Sequence, residues 1–128
     1  MMFVLKGEVG CKKNANKFNS RTRRVYKNAH FQSWHENAAF QLKLQAIPAI
    51  PVKRFEAVFR LYHGTRRRID SDNQVTSLLD LFQDVGIIED DCWMCCGHKD
   101  ITDIYRKGDP GAEIEIYPLT DSEKLSRL

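Results

Sequence analysis

Across residues 51–64, apolar Phe55, Ala57, Phe59 and Leu61 alternate with Arg54, Glu56, Val58 and Arg60, the period of two that marks a strand with one buried face. Further on, Val75, Leu78, Leu79, Phe82 and Val85 recur at helical spacing and stop at Gly86. That pattern predicts a helix over about residues 73–85 with its apolar stripe on a core. An earlier helix follows from Phe31, Trp34, Ala38 and Leu42, and it must end before Pro48. Residues 2–9 read as a first strand and the basic stretch 11–28 as a loop or hairpin. Residues 101–107 and 112–118 read as two strands, and Gly108-Asp109-Pro110-Gly111 between them predicts a terminal hairpin. The polar tail from Thr120 reads as a frayed end or a short helical turn. Strands and helices in this order predict an α+β fold, a single domain over residues 1–128 with two main helices on a small mixed or antiparallel sheet.

Composition adds limits. A chain of 128 residues suits one core and leaves little room for a second. No apolar run has the length of a membrane helix, and the opening residues lack the basic leader and long apolar stretch of a signal peptide, so a cytoplasmic protein is expected. The formal net charge of +3 hides a division. Residues 1–69 hold fifteen Lys and Arg against three acids, whereas residues 70–128 hold five against fourteen. A basic half suits contact with phosphates and an acidic half can gather carboxylates around a divalent cation, although two solvated faces that interleave in the fold would give the same counts.

Asp70 and Asp72 stand one residue apart after the predicted strand; in an extended segment their side chains project to one side and can share a cation. Asp72 or Asn73 could instead cap the helix. Asp91 is a question of reach. The helix is roughly 20 Å long at 1.5 Å per residue, and the five residues from Gly86 to Asp91 span at most about 17 Å. Asp91 returns to the mouth of the helix only if the chain doubles back along it.

The run Arg66-Arg67-Arg68-Ile69-Asp70-Ser71-Asp72-Asn73, then Leu79-Asp80, then Gly86-Ile87-Ile88-Glu89-Asp90-Asp91, resembles the RusA-type crossover junction endodeoxyribonucleases, the Holliday junction resolvases. Lys12-Lys13-Asn14 after a glycine, the basic patch near residues 21–27 and the aromatic helix with Trp34 extend the likeness over nearly the whole chain. The resemblance implies a homodimer that nicks four-way DNA junctions in pairs, serving recombination and repair, with Asp70, Asp72 and Asp91 as catalytic magnesium ligands and Asp90 as an outer partner. It implies Lys12, Lys13, Arg21, Arg23, Arg24, Arg66, Arg67 and Arg68 as phosphate contacts. Hard oxygen ligands suit Mg2+, which activates water and offsets charge building on a phosphate. One position departs from the pattern: Thr76 stands where the family usually has a lysine, so another base takes that role, with Lys99, Lys107, Arg68 and His63 as candidates, or catalysis is weakened. The alternative is therefore a RusA-like protein that binds branched DNA without cutting it.

Cys92, Cys95, Cys96 and His98 form a C-x-x-C-C-x-H pattern that lies outside the resemblance. Such spacing can hold zinc, but one thiol of the adjacent pair with Cys92 and His98 gives three ligands, unless Cys11 or a dimer mate adds a fourth. A zinc-binding interaction protein built on this cluster is a third reading, and free, partly buried thiols are the expectation in a reducing compartment.

Overall fold

The computed structural model describes residues 1–11, 16–19, 24–27 and 29–120. The chain runs β1 (Met2–Lys6), β2 (Asn16–Asn19), β3 (Arg24–Lys27), α1 (Ala29–Lys43), β4 (Phe55–His63), α2 (Ser71–Asp84), β5 (Cys96–Tyr105) and β6 (Gly111–Pro118). Four strands form one mixed sheet in the order β1-β6-β4-β5, while β2 and β3 make a separate antiparallel hairpin. The fold is α+β, with two helices on a small mixed sheet.

Phe55, Ala57, Phe59 and Leu61 of β4 face inward, as their alternation requires, and are buried with Phe3 and Leu5 of β1 and Ala112, Ile114 and Ile116 of β6. Helix α2 covers this face with Val75, Leu78, Leu79, Leu81 and Phe82, and Phe82 meets Phe3 edge-on at 5.3 Å between ring centroids. Helix α1 buries only Ala38 and Leu42. Two glutamines hold it to the sheet by closing the free edge of β1. Gln41 accepts from Lys6 N–H at 2.8 Å and donates to Lys6 O, while Gln45 accepts from Val4 N–H at 3.0 Å and donates to Val4 O. Each amide thus imitates one residue of a neighbouring strand and hides an edge that would otherwise invite pairing.

The terminal hairpin is corrected. Both predicted strands form, but β5 begins at Cys96 and pairs parallel to β4, whereas β6 pairs antiparallel to β4 on its other side. The strand with the most buried inner row takes the centre, and residues 106–110 become a crossover over its end. Arg106 N–H donates to His63 O at 2.8 Å and Gly108 N–H to Gly64 O at 3.0 Å. The opposite face of the sheet is polar. There Arg60 donates to Glu113 at 3.1 Å and also pairs with Glu115. Hydrogen bonds from Tyr62 and then from Arg60 hold the Glu113 carboxyl below the usual carboxylate range.

Candidate functional site

Helix α2 starts where Asp70, in extended geometry, accepts the N–H groups of Asp72 at 3.1 Å and Asn73 at 3.3 Å through one oxygen. Asp70 is therefore the cap, a role the sequence suggested for Asp72 or Asn73. The segment is not extended beyond Asp70, because Ser71 and Asp72 already belong to the first turn. Asp70 and Asp72 nevertheless stand together at a helix N-terminus, where the exposed N–H dipoles favour negative charge.

A cleft of about 500 Å³ opens beside this cap. Asp70 and Asn73 line it from α2, Arg67 and Arg68 from the preceding loop, Phe31 and Trp34 from α1, and Glu8, Gly10 and Cys11 from the segment after β1. Gly10 is required for this closeness, since a Cβ there would sit 2.9 Å from the Trp34 ring. Burial, reinforced by the negative charges of Asp70 and Glu8, pushes the Cys11 thiol up. Arg66 turns elsewhere, its guanidinium 4.8 Å from the Tyr105 ring centroid. Lys12, Lys13, Arg21 and Arg23 lie outside the described residues, and Arg24 starts β3. Cys11 and His30, which precede and follow the β2–β3 hairpin in the chain, both line the cleft.

Behind the cleft, Glu8 is fixed by an acid–histidine–acid clamp that the sequence reading missed. His63 contacts Glu8 at 2.9 Å and Asp103 at 2.8 Å, and Gln74 donates to Val9 O at 2.9 Å and to Glu8 at 3.4 Å. Burial works against a charged imidazole, but the hydrogen bonds to Asp103 and Glu8 outweigh it and raise the His63 pKa. Glu8 is one of only three acids in the first 69 residues, and that scarcity was the available signal.

The chain does not double back to bring Asp91 to Asp70 and Asp72. Gly86, at φ +85°, ends α2, and Ile87 and Ile88 enter the core at once. Ile87 N–H donates to Phe82 O at 2.9 Å, Val52 bridges Ile88, and Phe55 N–H donates to Cys95 O at 2.8 Å. These bonds hold residues 87–95 at the start of β4, whereas Glu8 and His63 tie the α2 N-terminus to its end. Asp91 therefore lies beyond the opposite end of α2, roughly 20 Å away along a 14-residue helix. A single protomer places Asp70 and Asp72 at one end of α2 and Asp91 beyond the other.

Of the four bases named above in connection with Thr76, Arg68 lines the cleft and His63 is engaged behind it. Lys99 acts on Cys96 beside Asp91 and so belongs to the other end of the helix, and Lys107 sits in the β5–β6 crossover. Thr76 is exposed, and its hydroxyl donates back to Asp72 O at 3.0 Å. At the Asp91 end, Asp90, Cys92 and Cys95 place ligand atoms within 4.8 Å of one another, the one group of three or more such donors among the described residues. Cys96 is buried in β5, its thiol on His98 O, and Cys11 is at the other end of α2. Comparison with protein-family models and with curated proteins finds no match. No helix among the described residues is long and apolar enough to cross a membrane.

Proposed function

We propose that this chain is a magnesium-dependent endonuclease of RusA type that nicks four-way DNA junctions, working as a homodimer. The observation that carries the reading is the meeting in one cleft of Asp70, capping a helix whose first turn holds Asp72, with Arg67 and Arg68. Two carboxylates at a solvent-facing helix mouth fit a hard cation that keeps several of its waters, and adjacent guanidiniums fit phosphate oxygens. Magnesium bound there supplies Lewis acidity toward a phosphodiester and an activated water. Arg67 and Arg68 hold the phosphate, and the clamp through His63 keeps Glu8 turned toward the cleft.

The distance of Asp91 gives the dimer a task. A two-fold contact in which one protomer's α2 N-terminus meets the partner's 90–91 segment builds two equivalent sites, each with all three carboxylates. Lys99, on β5 opposite Ala57 near the start of β4, then comes to the same side of the contact and supplies the charge that Thr76 lacks. Two sites related by symmetry suit paired nicks across a symmetric junction.

Binding without cutting is the second reading, favoured by the turn of Thr76 onto its own helix. The two separate on a labelled four-way junction incubated with and without magnesium, beside Asp72→Asn. Paired nicks that require both metal and Asp72 are expected. Salt-sensitive binding with no nick in any divalent metal would leave the binding reading alone.

A further inference from the structure

The cysteine turn is not used by the nuclease reading, and it has the makings of a second metal site of different chemistry. Cys92 opens a tight turn in which the N–H groups of Cys95 and Cys96 both donate to Cys92 O at 2.9 Å. The turn brings the two thiols to one side, with Cys92 Sγ 3.4 Å from Cys95 Sγ. A carboxylate oxygen of Asp90 completes a triangle whose corners lie within 4.8 Å of one another, and all three residues are partly buried. Asp90 is fixed in place as well, since it accepts the Asp91 N–H at 2.7 Å.

From these distances we infer that Asp90, Cys92 and Cys95 form a site for a thiophilic divalent cation, with zinc as the natural occupant. Two Zn–S bonds of about 2.3 Å at a tetrahedral angle separate the sulfurs by about 3.8 Å. The pair needs to open by only a few tenths of an ångström. Two thiolates and one carboxylate select zinc over magnesium, because soft sulfur donors do not suit the hard cation. Three protein ligands leave the fourth position to water. His98, the third ligand that the sequence offered beside two thiols, is outside the triangle and Asp90 takes its place. On binding, both thiols lose their protons to solvent and each sulfur gives its electron pair to the metal, with no change of oxidation state. An occupied site pins the turn that leads out of Asp91; that consequence alone rests on the nuclease reading.

The test uses the full chain under a phosphine reductant, so that no Cys92–Cys95 disulfide forms. Cobalt(II) is titrated in, and thiolate-to-cobalt charge transfer is followed in the near ultraviolet. A band that saturates at one ion per chain and is abolished by zinc is expected. It should vanish in the Cys92→Ser/Cys95→Ser double variant, persist in Cys11→Ser, and need at least tenfold more metal in Asp90→Ala. No band, or a band that survives the double variant, overturns the site; unchanged affinity in Asp90→Ala overturns the three-ligand assignment. A readout without substitutions comes from thiol titration of the wild type, in which zinc should protect two thiols, and no protection also overturns the site. Neither readout involves DNA cleavage, so the failure of this site and the failure of the nuclease reading are told apart.

Discussion

Asp70 caps α2 and, in the proposed reading, also holds a cation, and substitution can separate the two. As a cap it satisfies two N–H groups of α2, so Asp70→Ala should cost about 1 kcal/mol in denaturant unfolding, while Asp70→Asn, an equally good cap, should cost little. As a cation ligand it should tolerate neither change, and both variants should lose nicking. Thr76 is the converse case, an exposed residue whose hydroxyl serves only its own helix. Thr76→Lys should fold normally and raise the nicking rate by about tenfold or more. His63 links the cleft to pH. Its proton is bound more tightly folded than unfolded, so its stabilisation is complete below the ordinary value of 6.5 and fades as pH rises through the raised value. Thermal midpoints should therefore fall as pH climbs from about 6 to about 8, where imidazoles titrate. His63→Gln should flatten that slope, and an identical slope in the variant would remove the clamp from the account.

Among the elements, α2 and β4 were the most legible in the sequence, because each carries an unbroken apolar period that the core then buries. Helix α1 was legible by period too, but not what attaches it: Gln41 and Gln45 look like ordinary surface residues until the edge of β1 lies beside them. Removing either amide (Gln41→Ala or Gln45→Ala) frees two β1 backbone groups and should cost about 1–2 kcal/mol. The double variant should also self-associate more readily, as light scattering would register. The order of the last strands was not legible. Gly108-Asp109-Pro110-Gly111 has the chemistry of a turn, and local chemistry does not say whether the strands it joins are neighbours. The competition of β5 and β6 for the two sides of β4 decided that, and such long-range pairing leaves no mark on a short window of sequence. The cleft was half legible: Asp70, Arg67 and Arg68 stand in one run, whereas Glu8, His63 and Asp103 come from three strand ends that only the fold brings together. The cysteine turn shows its thiols in the sequence, whereas Asp90 reads there as one half of an Asp-Asp pair.

For the molecule as a whole, the charge division along the chain brings both signs of charge to the cleft. Arg67 and Arg68 close the basic half at the place where Asp70 opens the acidic one, and Cys11 and His30 on either side of the basic hairpin line the same cleft. In the proposed reading the two acidic ends of α2 complete each other only across a dimer contact. The most direct measurement is cleavage of a labelled four-way junction in magnesium by wild type, by Asp72→Asn and Asp91→Asn separately, and by the two variants mixed as equal parts and allowed to exchange protomers. The wild type is expected to cut, each variant alone to be inert, and the mixture to regain cutting. Each mixed dimer then holds one site with an intact Asp70–Asp72 pair from one chain and an intact Asp91 from the other. An inert mixture beside an active wild type would contradict the shared site, and a wild type that binds the junction but never cuts it would contradict the endonuclease itself.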